Sequence, residues 1–264
     1  MNQSALSNHL GDPNCRPQAG AHVSDGMQVD THWHAHDMHQ LLYAFEGSLD
    51  VEDEKTLFVA PRQLALWIPA GVIHRTRIDR VQSGSIFFSP HMMPRSGDRI
   101  RMIHVSPLMR QMLMAAMRWP LTTPEQPISA AYFEALALLC GEWIEAETRL
   151  MLPTSSDRRV RRAMDYTRKN LATVDAPLVC CAVGLSQRNL SRLFMQTCGI
   201  SWEEYRRRCR LARALILLGD TALPIGTIAT QIGFASQSAF GKNFRAAIGE
   251  EPRAYRKRVA SAFV

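Results

Sequence analysis

The chain repeats itself at an offset of fifty residues near its C-terminal end, and this repeat limits the possible folds more than any other feature. Ser186, Gln187, Leu190, Arg192, Phe194 and Gly199 fall on Ser236, Gln237, Phe240, Lys242, Phe244 and Gly249, and Tyr205-Arg206-Arg207-Arg208 falls on Tyr255-Arg256-Lys257-Arg258. Upstream, Val183-Gly184-Leu185 answers Ile232-Gly233-Phe234, with Ala235 as one extra residue in the second turn. Each copy predicts a short helix, a glycine turn, a serine-started second helix and a glycine stop, which is a helix-turn-helix pattern written twice.

The residue types agree with that pattern. Asp175 can cap a first helix whose Pro177 lies in the opening turn, where the N–H groups lack helical partners anyway. Ser186 and Ser236 are natural caps for the second helices, in which Leu190, Leu193 and Phe194, and likewise Phe240 and Phe244, form apolar stripes. The opposite faces carry Gln187, Arg188, Asn189 and Arg192 in one copy and Gln237, Ser238 and Lys242 in the other. Arg and Lys bond guanine O6 and N7, and Asn and Gln pair with adenine N6 and N7, so both faces suit the major groove of double-stranded DNA. Charge points to the same partner: residues 157–264 hold 19 Lys and Arg against 8 Asp and Glu (+11), whereas residues 1–156 hold 12 against 16 (−4).

Between the copies, residues 201–220 predict one continuous helix. Ser201 and Glu204 form a capping box, Trp202, Tyr205, Cys209, Ala212 and Ile216 repeat at three and four, and Gly219 is the expected stop. With Pro224-Ile225, Ile228-Ala229, Gly233-Phe234, Ser236, Ser238, Phe240, Phe244-Arg245, Gly249, Pro252 and Tyr255-Arg256, the segment 157–259 resembles the AraC/XylS family of bacterial transcription regulators. The resemblance implies two helix-turn-helix units joined by a long helix, in proteins that are most often activators contacting RNA polymerase. It places base-reading positions on Arg188, Ser191 and Arg192 and on Gln237, Ser238, Gly241 and Lys242. Two residues depart from the family pattern: Cys180 replaces a usual helix alanine, and Gly241 has no side chain with which to read a base.

All nine histidines lie between His9 and His104, four of them in the stretch THWHAHDMHQ at 31–40. Alternation of His32, His34 and His36 predicts a strand with all three on one face, continuing through Leu41-Leu42-Tyr43-Ala44-Phe45. Further strands are predicted at 49–51, 56–59, 65–68 and 85–88, separated by proline and glycine, as in a small β-barrel or jelly roll. His34-x-His36-x-x-x-Gln40, followed by Pro69-x-Gly71-x-x-His74, resembles the two cupin motifs. That resemblance implies His34, His36, Gln40 and His74 as positions for a divalent transition metal. Gln40 stands where enzymatic cupins have a glutamate and is a weaker, neutral ligand, although three imidazoles can hold zinc, nickel or iron. The other reading is a small-molecule effector pocket lined by His34, His36, Gln40, Tyr43, Trp67 and His74, with His32 and His39 as ordinary surface residues.

The expected fold is therefore multidomain α+β: an N-terminal cupin or jelly-roll barrel, a helical linker pair and a C-terminal all-α domain with two helix-turn-helix units. The expected boundaries are a flexible tail at 1–22, the cupin-like effector domain at 23–98, a helical linker at 99–150 and the DNA-binding domain at 151–264. The methionine stripe of Met109, Met112 and Met117 offers a surface for core packing or for homodimerisation. No stretch reaches the roughly 18 apolar residues of a membrane span, and six cysteines without paired spacing suit a reduced cytoplasm. The function expected is an effector-controlled, sequence-specific transcription regulator, most simply an activator. The alternative is a metal-dependent cupin oxygenase or isomerase with an accessory DNA-binding domain.

Overall fold

The computed structural model describes residues 16–26, 28–94, 96–148 and 150–262. His9 and Cys15 lie outside this set, as do residues 1–15 of the expected tail. The described residues divide into two compact units, one formed by those within 16–53 and 60–148, the other by 54–59 and 150–262.

The first unit is β-rich. Its strands are β1 (Ala19–Asp25), β2 (Val29–Asp30), β3 (His39–Ala44), β4 (Ser48–Glu52), β5 (Thr56–Pro61, shared with the second unit), β6 (Leu64–Ile68), β7 (Arg75–Ile78), β8 (Gln82–Phe88) and β9 (Arg101–His104). Pairing is antiparallel and nested, β1 with β8, β2 with β7 and β3 with β6, while β3 also pairs with β8 and β4 with β7. Consecutive strands thus move between two sheets, which is the jelly-roll solution to covering sheet edges. Two helices follow, α1 (Pro107–Ala116) and α2 (Pro127–Glu145), and then β10 (Glu147–Thr148) on β9.

Residues 19–22 belong to β1 and not to a tail. Ala19 lies opposite Phe88 and Ala21 opposite Ile86, and a Cβ on Gly20 would stand 2.5 Å from the Leu121 Cα. Small residues let the backbone of this strand approach its neighbour, a signal that lacks hydrophobic periodicity. The stretch 31–38 forms no strand; a single bridge between His34 and His74 replaces it. β7 and β9 arise where no strand was expected, because each has only four residues, with arginine at alternate positions in β7.

Side-chain parity splits the first sheet. Leu41, Tyr43, Ala65, Trp67, Ile86 and Phe88 pack with Met109, Leu113, Phe133, Leu136 and Cys140 of α1 and α2. In register, Leu41 faces Trp67, so these two share a face, and Gln40 faces Ile68 and Phe87 on the other. Met109 and Met117 accordingly belong to the core of this unit or pack against it, which is the packing role open to that stripe.

The second unit is helical: α3 (Arg158–Lys169), α4 (Ala176–Val183), α5 (Gln187–Cys198), α6 (Trp202–Asp220), α7 (Ile225–Gln231), α8 (Gln237–Ile248) and α9 (Pro252–Ala262). Its small strand β11 (Leu152–Pro153) sets Leu152 opposite Leu57. Val160, Val179, Leu190, Leu193, Phe194, Trp202 and Tyr205 form one core, and Cys180 packs into it. Rings continue the second copy, with Phe234, Phe240, Phe244 and Tyr255 in sequence at 5.5 Å between centroids. Cys140, Cys180, Cys181, Cys198 and Cys209 are free thiols. No helix among the described residues is long and apolar enough to cross a membrane.

Candidate nucleic-acid interface and histidine site

The two serine-started helices form at the expected offset of fifty, 187–198 and 237–248. Their caps explain why they start there: Ser186 Oγ accepts from Asn189 N at 3.3 Å and Ser236 Oγ from Ala239 N at 3.1 Å. Asp175 caps α4 by accepting from Leu178 N at 2.8 Å. Both helices stop at a glycine in the left-handed region, Gly199 and Gly249.

Leu190, Leu193 and Phe194 turn inward on α5, and Phe240 and Phe244 do so on α8. Gln187, Arg188, Asn189, Ser191 and Arg192 are all exposed on α5, as are Gln237, Ser238 and Lys242 on α8. Arg192 donates to Gln196 Oε1 at 3.1 Å, which aligns its guanidinium along the helix surface. Each set therefore presents donors and acceptors outward from a rigid helix, held by a cap at one end and an apolar stripe behind.

The connecting helix α6 has 19 residues, a length of about 28 Å at about 1.5 Å per residue. Ser201 caps it by accepting from Glu204 N at 3.1 Å, but Glu204 does not complete the box. Its carboxylate instead receives Arg207 and Arg208 at 2.8–2.9 Å, a stronger charge-assisted pairing that holds its pKa below the usual carboxylate range despite partial burial. The helix also passes Gly219 and ends at Asp220 with Thr221 as cap, because Leu217 and Leu218 are buried and anchor the final turn.

In the first unit the structure brings together four of the six expected pocket residues. His34 and His74 exchange backbone hydrogen bonds at 3.0 and 2.9 Å, and their rings stand 4.3 Å apart, with His36 at 5.1 Å from His74. Each ring donates from Nδ1 to a backbone carbonyl, those of His32, Met38 and Val72 respectively for His34, His36 and His74. In His34 and His74, Nε2 is thus the acceptor nitrogen of a neutral ring, whereas His36 Nε2 faces the acceptor Gln40 Oε1. Gln40 bridges His36 Nε2 at 3.0 Å and Ser85 Oγ at 2.7 Å, while His74 Nε2 is buried without a hydrogen-bond partner.

Tyr43 and Trp67 are not part of this cluster. Tyr43 is three residues from Gln40 on the same strand and so faces the helices, as does Trp67, whose Nε1 donates to the Ser96 carbonyl at 2.9 Å. Strand parity alone could have separated Tyr43 from Gln40. His39, expected at the surface, is buried: its Nδ1 accepts from Ala70 N at 2.9 Å and its ring stacks on Trp67 at 5.4 Å. Ser85 and Phe87, absent from the expected set, complete the wall beside Gln40 and His36.

The metal reading does not fit these residues. Among the described residues no group of three or more His, Cys, Asp or Glu is placed to hold a metal ion. The reason is visible at His36 and Gln40: the amide oxygen occupies the ring nitrogen a metal would need.

Burial lowers the pKa of His34, His36 and His74, the last to about 3, and neighbouring imidazoles add to the effect at His36 and His74. The folded state therefore resists protonation that the unfolded chain accepts near pH 6.5. Stability from His74 is fully present above pH 6.5 and is lost as pH falls toward 3, by about 2 kcal/mol at pH 5. Thermal unfolding between pH 8 and pH 5 checks this, and His74→Gln should flatten the profile; a wild-type profile that is already flat would mean that the ring is open to water.

A model described as a helix-turn-helix domain matches residues 179–258. The chain is 26% identical to the HTH-type transcriptional regulator NimR of Escherichia coli over 240 residues, covering 86% of this chain and 83% of that protein. It is 37% identical to the arabinose operon regulatory protein of E. coli over 102 residues, which is 38% of this chain and 35% of that one. The chain thus spans about a third of the arabinose regulator and most of NimR. Among solved structures, a transcriptional regulator with an AraC-type DNA-binding domain from Chromobacterium violaceum is 30% identical, covering 40% of this chain and 95% of that one, with a TM-score of 0.38.

Proposed function

We propose that the chain is a DNA-binding transcription regulator of the AraC type, in which α5 and α8 read two parts of one operator under control of a small-molecule effector. The relatives found are named as regulators, and the chain is a regulator and not an enzyme. The observation that carries the base-reading assignment is the matched exposure of polar side chains at one offset on two capped helices. Gln187, Arg188, Asn189, Ser191 and Arg192 serve the first half of the site, and Gln237, Ser238 and Lys242 the second. Neighbouring major grooves on one face of DNA are about 34 Å apart, close to the length of α6, so one polypeptide can serve both.

The effector site is the His34, His36, Gln40 and His74 cluster. The orphaned acceptor His74 Nε2 supports this role, because a buried nitrogen without a partner costs about 1–3 kcal/mol that a ligand N–H or O–H would recover. The effector is therefore a small polar compound carrying a hydrogen-bond donor. It acts by binding two arrangements of the chain with different affinity, since equal affinity would shift nothing. Activation through RNA polymerase, by family resemblance, homodimerisation and a cytoplasmic site of action complete the proposal.

Binding to a promoter fragment near the protein's own gene tests the reading. Arg192→Ala is expected to lose about 1–3 kcal/mol and to relax base choice at one position, as removal of a guanine contact would. Equal weakening on all sequences would make Arg192 a phosphate contact instead.

A further inference from the structure

A carboxylate stands on the face that α8 turns to solvent. Gln237, Ser238, Gly241, Lys242 and Arg245 lie along one side of the helix at about 100° per residue, and at the centre of this stripe Gly241 has no side chain. The place is taken from outside the helix. Glu251, immediately before α9, puts Oε2 3.6 Å from where a Cβ on Gly241 would stand and Oε1 3.4 Å from Arg245 Nη1. Together with Ile225, Lys242 and Arg253 these residues line an open concavity of about 1080 Å³.

An acid at this point is informative because everything else on the stripe is neutral or cationic. A carboxylate brought toward phosphates is repelled, and Arg245 offsets this at Oε1 only, which leaves Oε2 as the oxygen that can meet a donor on the DNA. It can only accept hydrogen bonds. The major groove offers two donors, cytosine N4 and adenine N6, and the adenine donor sits beside the acceptor N7, which repels the second carboxylate oxygen. Cytosine N4 has an acceptor, the O6 of its paired guanine, on one side only, whereas adenine N6 is flanked by N7 and by thymine O4.

We propose that Glu251 is a specificity-determining residue that reads cytosine through the gap left by Gly241, with Arg245 fixing its orientation. This inference rests on the DNA-reading assignment above and adds a reader contributed by the helix after the recognition helix. The gap is a requirement, since a longer side chain at 241 would occupy the carboxylate's position.

Selection of bound duplexes from a randomised library, using the full chain, tests it with wild type, Glu251→Gln and Glu251→Ala. Wild type should favour cytosine at one position of the half-site read by α8. Glu251→Gln should favour adenine there, because a carboxamide pairs with N6 and N7, and Glu251→Ala should accept all four bases, with about tenfold discrimination lost. Preferences in the half-site read by α5 should be unchanged in all three proteins, which also reports that the variants fold. The inference is overturned if both variants keep the wild-type preference at every position, or if both bind all sequences more tightly by one common factor, the mark of simple repulsion. A wild type that selects no sequence overturns the DNA-reading assignment and the inference with it.

Discussion

Replacing Gly233 by alanine is expected to destabilise the second helical unit by about 2–5 kcal/mol, whereas the same change at Gly184 should cost only about 1–2 kcal/mol. The two glycines occupy the same place in the repeat, and both are left-handed, with φ +84° and +69°. They differ in what surrounds them. A Cβ on Gly233 would stand 2.5 Å from the Leu171 carbonyl oxygen, 2.6 Å from Arg210 Nη2 and 2.8 Å from the Ala172 carbonyl oxygen, while nothing lies within 4 Å of one on Gly184. Arg210 is itself tied to the Leu171 carbonyl by Nε and Nη2 at 3.2 Å and lies over the Phe234 ring, so it has little freedom to withdraw. Denaturant midpoints of the two variants, at unchanged slope, measure the difference. Equal midpoints would show that the second turn is not packed against α6 and the 171–172 segment in this way.

Raising salt from about 50 to about 200 mM is expected to weaken operator binding by about 10³–10⁵-fold, the loss that accompanies roughly 6–10 phosphate contacts. The +11 balance of residues 157–264 supplies the cations. Fewer than nineteen will count, because Arg159, Arg168, Arg206, Arg207, Arg208, Arg245 and Arg258 already stand within ion-pair distance of a carboxylate. Those on the flanks of α6 brace the connecting helix, whereas Arg188, Arg192 and Lys242 are exposed on the reading faces. The slope of log affinity against log salt, measured by fluorescence anisotropy on a labelled duplex, decides the matter. A flat slope would remove the duplex as the partner of this basic half.

The C-terminal half was legible because its signals are local. Capping by Asp175, Ser186, Ser201 and Ser236 depends on hydrogen bonds from the residue three positions on, and the apolar stripes of α5 and α8 on spacings of three and four. Each can be read within a dozen residues, and the repeat supplied an internal control. The histidine stretch misled for a related reason: alternation is shared by strands and by extended loops, and only the bridge between His34 and His74, forty residues apart, decided between them. Tyr43 and Trp67 lie on the face opposite Gln40 because strand parity, and not polar character, sets which way a side chain points.

What the amino-acid order determined alone is the chain's plan: two matched capped helices, a rod between them, a cationic half and a β-rich half. Tertiary structure alone decided which rings meet at His74, why Gly233 differs from Gly184, and that Glu251 stands in the gap beside Gly241. The division has one cause. Helix caps and periodicity are short-range and repeat along the chain, whereas burial, strand register and the filling of a missing side chain depend on residues brought together only when the units close.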